Sequence, residues 1–152
     1  MEDNYLTICT EKKINSLIND KGHLEGNFII FGNTISSLGC LEKVYGSLGI
    51  NSDSLLDLGQ LKYVKNDFWI SSAKSLKSLG NIKKIGGTIS LRYSKIEDLG
   101  KLNTVGNRLC MRDTNIKNLS SLKEVNILML PKRFEDENTD FIKTKEIKYF
   151  KD

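Results

Sequence analysis

The stretch GNFIIFGNTISSLGCLEKVY, residues 26–45, contains a unit that returns along most of this chain. Its Leu-Gly pair recurs at intervals of 20, 21 and 20 residues, and a Leu-Ser pair follows after 20 more. The pairs are Leu38-Gly39, Leu58-Gly59, Leu79-Gly80, Leu99-Gly100 and Leu119-Ser120. Self-similarity at a fixed period of this length indicates a solenoid, in which each repeat stacks on its neighbours.

Six apolar columns run through five successive repeats. In the first repeat they pass through Phe28, Ile30, Ile35, Leu38, Leu41 and Val44. Two apolar residues two positions apart predict a short β-strand. The later gaps of five and three residues do not fit one long helix, so the chain must return by turns. Because a single repeat cannot bury its own apolar face, the strands are predicted to stack as a parallel sheet. The third repeat has one extra residue between Ile70 and Leu76, where we expect a bulge.

The pattern L-x-I-x-x-[N/D/S/T]-x-I-x-x-L resembles the leucine-rich repeat in a short form of about 20 residues, and residues 28–35, FIIFGNTI, are the copy most like it. The resemblance covers roughly residues 26–130. It implies an α/β-type, mostly β, right-handed superhelix with a parallel sheet on the concave face and turns or short helical loops on the convex face. The family's Asn column is here Asn33, Asp53, Ala73, Ser94 and Thr114. Asp, Ser and Thr make similar local hydrogen bonds, whereas Ala73 cannot.

The length of 152 residues and the single proline favour one continuous domain. We divide residues 1–152 into a degenerate N-terminal cap repeat (1–25), five repeats (26–126), and a last strand with a C-terminal cap (127–152). Pro131 is expected to end an edge strand there. The apolar side chains expected to cover the open end are Phe141, Ile142, Ile147 and Phe150.

Composition excludes several classes of protein. A content of 39% apolar and 28% charged residues suits a globular chain. No apolar run is long enough to cross a bilayer, and the first residues lack the features of a secretory signal, so we expect a cytoplasmic protein. Cys9, Cys40 and Cys110 are expected to be reduced and half-buried. With His23 as the one histidine, the spacing fits neither a metal site nor a Cys–His catalytic pair, and we expect no cofactor and no enzyme activity.

Residues that point out of the predicted sheet form the candidate binding site. Three of the four arginines fall on these positions, whereas lysines are scattered over the turns. Arginine offers a planar fork of donors to carboxylates and phosphates, and Trp, Tyr and Arg dominate binding hot spots. The predicted partner-binding residues are Phe31, Trp69, Arg92, Tyr93, Arg108 and Arg112 on or beside the concave face, and Arg133 just beyond it. The alternative is an ordinary solvated sheet whose arginines pair with neighbouring aspartates.

These features predict a non-enzymatic protein-binding module that recognises an acidic partner surface, such as an adaptor, an inhibitor or an immunity-type protein. The abundance of Lys, Asn and Ile suggests a bacterial or phage source. The alternative function is nucleic-acid binding, in which arginines contact phosphates and Trp69 or Tyr93 stacks on a base. Salt distinguishes the two, since nucleic-acid affinity falls steeply with ionic strength.

Overall fold

Each predicted repeat forms one turn of a parallel-β solenoid. The computed structural model describes residues 4–151; residues 1–3, at the start of the predicted N-terminal cap, and residue 152 lie outside that range. About seven turns stack with a spacing of about 20 residues, and the chain is 37% strand and 7% helix. The predicted mostly-β parallel solenoid is therefore confirmed.

The third to fifth residues of the repeats build the main sheet, which we call the long sheet. Its strands pair in parallel with their neighbours along the solenoid axis. They are β1 (Tyr5–Ile8), β3 (Asn27–Phe31), β5 (Leu48–Asn51), β7 (Phe68–Ser72), β9 (Ile89–Ser90), β10 (Thr104–Cys110), β11 (Glu124–Pro131) and β12 (Glu146–Phe150). The two edges of this sheet are β1 and β12.

A second parallel sheet, which the sequence pattern does not predict, runs along the valine column. We call it the short sheet. It consists of β2 (His23–Glu25), β4 (Lys43–Tyr45), β6 (Tyr63–Val64), β8 (Lys84–Ile85) and the first residues of β10 and β11. A register shift between Val105 and Arg108 separates the two parts of β10. The return path of the central repeats is thus turns and short strands, and the helical loops expected there occur only near the ends of the described chain.

The six apolar columns form one continuous core, as predicted. In the long sheet the inward residues Phe28, Leu48, Phe68, Ile89 and Leu109 follow one another in register and are at most 5% exposed. Burying a side chain of this size contributes about 1.5 to 3 kcal/mol. Each turn therefore gains most of its stability from the turns on either side of it.

The Leu-Gly pair forms a tight corner on the third side of each turn. Its glycines share a left-handed conformation, with φ between 55° and 57° in the four Leu-Gly pairs. This region strongly favours glycine. In each corner, the backbone N–H of the glycine, or of Ser120 in the fifth repeat, donates a hydrogen bond to the side chain of the residue two positions earlier. These acceptors are Ser37, Asp57, Ser78, Asp98 and Asn118, so the corner motif is a polar side chain followed by Leu-Gly or Leu-Ser.

The extra residue of the third repeat produces the expected bulge. The register between β5 and β7 shifts after Ile70, so that Asn51 pairs with Ser72 and Ser71 is left over. Parallel bridges join the corners at Ser37 and Asp57 and at Ser78 and Asp98. Within residues 4–151, no such bridge joins the corners of the second and third repeats or those of the fourth and fifth repeats. An open cleft of about 610 Å³ is lined by the corners of the first three repeats.

The N-terminal end is covered by the helix α1 (Glu11–Leu17), which replaces the Leu-Gly corner in the first turn. Thr10 begins the helix by accepting a hydrogen bond from the Lys13 N–H. Ile14 points into the core, and the Glu11 carboxylate accepts hydrogen bonds from the backbone and hydroxyl of Ser36. None of the helices in the described part of the chain is long and apolar enough to span a membrane.

The C-terminal end differs from the prediction. The strand that ends at Pro131 is not an edge, because β12 pairs with it through Pro131 and Phe150. A 3₁₀ helix (Lys132–Phe134) connects the two and buries Phe134. Proline is tolerated because it is the last residue of β11, where its missing N–H removes little from the ladder. Ile142 is buried as expected, but Phe141 is 53% exposed and does not cover the end.

Candidate functional site

The outward side chains of the long sheet form one surface, which we call the long-sheet face. Its middle row consists of Thr7, Ile29, Gly49, Trp69, Ser90, Cys110, Met129 and Lys148 in register. The row nearer the strand starts includes Tyr5, Arg108 and Glu146, and the row at the strand ends includes Phe31, Arg92, Arg112 and Phe150. The face divides into an aromatic patch and an arginine patch.

The aromatic patch consists of Tyr5, Ile29, Phe31 and Trp69. The Trp69 indole lies across β5, because Gly49 on that strand has no side chain: a Cβ at Gly49 would lie 2.4 Å from the Trp69 ring. The indole thereby reaches Tyr5, whose ring meets it edge-on with centroids 5.4 Å apart. Phe31 is 49% exposed. The sheet thus presents apolar rings to solvent, with Trp69 held in place by a neighbour and by the missing side chain beneath it.

The arginine patch consists of Arg92, Arg108 and Arg112, on the C-terminal half of the face. The Arg112 guanidinium lies 5.6 Å from the Phe150 ring centroid, and its Nε is 3.3 Å from the Asp113 carboxylate. Arg92 lies 5.6 Å from the Tyr93 ring. Arg108 is exposed and, within residues 4–151, forms no ion pair or side-chain hydrogen bond. The patch therefore offers one free guanidinium beside one that is held in place on an aromatic ring.

The residues that follow Arg92 and Arg112 have an unusual backbone. Tyr93 and Asp113 adopt φ values of 60° and 56°, in the left-handed region that costs a non-glycine residue about 1 to 2 kcal/mol. The equivalent residue of the first repeat is Gly32, which adopts a φ of 94° without that cost. Tyr93 is nevertheless 65% exposed, so packing does not explain its presence. The strained turn holds Tyr93 and Arg92 at the end of the sheet.

Arg133 lies outside both patches. Its guanidinium donates to the backbone carbonyl oxygens of Thr114 and Ile116, at 2.8 and 3.0 Å, and lies 5.0 Å from the Phe134 ring. These contacts attach the C-terminal 3₁₀ helix to the preceding turn. The structure therefore places Arg133 in a backbone-capping position, whereas the other predicted residues lie on or at the edge of the long-sheet face.

The cysteines differ from the expected half-buried state. Cys9 and Cys40 are exposed, and Cys110 is buried at 6% exposure although it occupies an outward position. Neighbouring side chains on the long-sheet face therefore cover its thiol. Over residues 4–151, no group of three or more His, Cys, Asp or Glu side chains is arranged to hold a metal ion.

A strong ion pair lies at the strand ends beside the aromatic patch. The Lys74 ammonium is 2.6 Å from the Asp53 carboxylate, which also accepts a hydrogen bond from the Ser72 hydroxyl. The hydrogen bond from Lys74, and to a smaller extent the one from Ser72, lower the pKa of Asp53 to about 2. Asp53 in turn raises the pKa of Lys74. Asp53 occupies the Asn column, and its carboxylate also accepts from the Lys74 N–H, so this residue joins the second repeat to the third.

Sequence reasoning did not assign Tyr5 to the long-sheet face, and it expected Phe150 to cover the open C-terminal end instead. Both lie in the terminal turns, where the 20-residue repeat is degenerate and the columns could not be aligned. It also missed an aromatic cluster on the short sheet: His23 meets Tyr45 edge-on at 5.3 Å, and Tyr45 meets Tyr63 at 6.2 Å. The positions of these three residues in the sequence could have revealed the cluster, because each directly precedes or follows an inward residue of the valine column.

Comparison of this chain with models of protein families, with curated proteins and with solved structures finds no match.

Proposed function

We propose that this protein is a non-enzymatic, cytoplasmic binding module of the leucine-rich-repeat-like kind, which recognises an acidic segment of a partner protein through the long-sheet face. The observation that carries the proposal is the arrangement of Trp69 over Gly49. A solvated sheet has no need of an indole on its outer side. Here a glycine directly below leaves room for the ring, and Tyr5 packs against its edge.

The two patches are close enough for one partner to contact both. Strand β9 separates β7, which carries Trp69, from β10, which carries Arg108, and adjacent strands lie about 4.8 Å apart. Because the indole lies over β5, the ring and the backbone of Arg108 are about 14 Å apart across the sheet. The intervening outward residue is the small Ser90. A partner segment with an apolar side chain followed by a carboxylate would match this spacing. Rigid aromatic anchors bordered by arginines are typical of binding hot spots.

Affinity capture from the native host tests this proposal, with two charge-reversal variants as matched baits. Arg108→Glu/Arg112→Glu alters the long-sheet face, and Lys43→Glu/Lys84→Glu changes net charge equally on the short sheet. We expect the arginine variant to lose the specific partner at least tenfold and the lysine variant to retain it. The isolated partner should also shift the emission of Trp69, the only tryptophan. Equal recovery by both variants, with no change in emission, would contradict the proposal.

A further inference from the structure

The outward side of the short sheet carries a second surface with a different chemistry, which we call the short-sheet face. One row across it alternates aromatic and cationic side chains in register: His23, Lys43, Tyr63 and Lys84. The next row contains Tyr45, and Lys65 follows β6 beside it. The exposed Lys83 directly precedes β8 and borders the face there. The Tyr45 ring meets those of His23 and Tyr63 edge-on, so the three rings form a continuous strip between the lysines.

The cations of this face have no ion-pair partner among the described residues. Lys43, Lys65, Lys83 and Lys84 form no ion pair with any residue in the range 4–151. The nearby Glu42 carboxylate is 3.2 Å from Lys62 and so does not neutralise them. Glu25 lies at the N-terminal edge of the face, beside Tyr45. Glu124 lies in the same row beyond Thr104, but its carboxylate is 3.0 Å from Lys143. The four neighbouring cations therefore repel one another, and a bound polyanion would relieve that repulsion.

We propose that the short-sheet face binds single-stranded nucleic acid, with the four lysines contacting phosphates and the tyrosines stacking on bases. Lysines surrounding aromatic rings are the combination that single strands require, because every base has a face that can stack. A duplex keeps its bases stacked on one another, and an acidic polypeptide has few planar groups to match the rings. The inference is independent of the protein partner proposed above, since the two faces share no residue.

The release of counterions from the phosphates predicts how steeply the affinity for a single strand should depend on salt concentration. Four phosphate contacts predict a slope of about −2.8 for the logarithm of affinity against the logarithm of salt concentration. Affinity for a single strand should therefore fall about 50-fold between 50 and 200 mM salt. Lys43→Glu/Lys84→Glu leaves two of the four contacts, so its affinity should fall only about sevenfold over the same range and should be weaker throughout.

The test is fluorescence anisotropy of a labelled 20-mer of thymidine, with a duplex of equal length and poly-glutamate as competitors. We expect wild-type protein and Arg108→Glu/Arg112→Glu to bind equally, and Lys43→Glu/Lys84→Glu to bind at least tenfold more weakly. Tyr63→Leu should weaken binding about fivefold or more, and Tyr63→Phe should restore it. Thermal unfolding of each variant verifies that it is folded.

Three results would overturn the assignment: no binding by wild-type protein at 50 mM salt, equal binding by the lysine variant, or competition by poly-glutamate as effective as by the unlabelled 20-mer. The last result, with Tyr63→Leu unchanged, would identify the face as a site for acidic polypeptides. Because the arginine variant is the control here and the lysine variant is the control for the long-sheet face, failure of one proposal leaves the other intact.

Discussion

The Leu-Gly corners allow the cost of a single methyl group to be predicted from matched positions. Gly39, Gly59, Gly80 and Gly100 occupy the same place in their repeats and share φ values of 55° to 57°. A Cβ at Gly59 would lie 2.3 Å from the carbonyl oxygen of Gly39, and one at Gly100 would lie 2.4 Å from that of Gly80. At Gly39 and Gly80 a Cβ would meet no atom within 4 Å. Two glycines therefore face a backbone clash and two do not.

Alanine should destabilise the two kinds of corner to different extents. The left-handed φ costs alanine about 1 to 2 kcal/mol at all four positions. Alanine also lowers the conformational entropy of the unfolded chain, which offsets about 0.4 to 1 kcal/mol of that destabilisation. We therefore expect a net loss of about 1 kcal/mol for Gly39→Ala and Gly80→Ala. At Gly59 and Gly100 the clash adds about 1 to 3 kcal/mol, because the obstructing atoms are backbone and cannot move aside.

Urea unfolding followed by circular dichroism measures the difference. The members of a pair should differ by about 1 to 3 kcal/mol in the free energy of unfolding. In a parallel thermal melt, 1 kcal/mol corresponds to about 2 to 4 °C in Tm for a chain of this size, so their Tm values should differ by roughly 2 to 12 °C. The slopes of the four transitions should agree, which would show that the unfolded states are comparable. If Gly59→Ala and Gly39→Ala are equally stable to within 0.5 kcal/mol, and Gly100→Ala and Gly80→Ala likewise, the close stacking of the corners is not a constraint.

Three further predictions concern the site and its surroundings. The pKa of Asp53 in the folded protein is about 2, below its ordinary value of 3.8, so its ion pair with Lys74 stabilises the protein above pH 4 and is lost as the pH falls towards 2. The difference in Tm between wild-type protein and Asp53→Asn should therefore shrink between pH 4 and pH 2. A constant difference over that range would contradict the assignment. Gly49→Ala should displace the Trp69 indole into water and shift its emission to longer wavelength, and an unchanged spectrum would mean that the ring does not lie over β5. Arg133→Ala leaves two backbone carbonyl oxygens without a charged donor and should cost about 1.5 to 3 kcal/mol in chemical unfolding without affecting partner capture, whereas loss of capture at unchanged stability would place this residue in the binding surface.

The long sheet was predictable because its residues alternate with a period of two and repeat about every 20 residues. The short sheet was not, because strands of two or three residues such as Tyr63–Val64 contain too few positions to show a period. What the sequence pattern indicates for this part of the repeat is one inward valine. Its strand geometry becomes apparent only when neighbouring turns are stacked and their backbones pair.

The sequence indicated which residues point outward from the long sheet better than it indicated what their side chains contact. Alternation placed Trp69 and Arg108 on the outward side correctly, but the position of the indole depends on Gly49, which is 20 residues away in sequence and on the adjacent strand. Arg133 was grouped with the other arginines because it follows the next strand. The 3₁₀ helix after Pro131 turns that side chain towards the backbone of the preceding repeat, and no periodic pattern reports such a turn.

The corner bridges join the first repeat to the second and the third to the fourth, but not the second to the third or the fourth to the fifth, so the turns are unequal as units of folding. In a solenoid held together by contacts between neighbouring turns, the interfaces without a corner bridge should open at the lowest free energy. Hydrogen exchange should therefore divide the chain near residues 66 and 107, and the first of these boundaries concerns the aromatic patch. Trp69 belongs to the third repeat, and its contact with Tyr5 crosses this boundary. A ligand seated on the indole would therefore join the two segments and slow their separation, so that occupancy of the surface could be measured as protection of amides far from it.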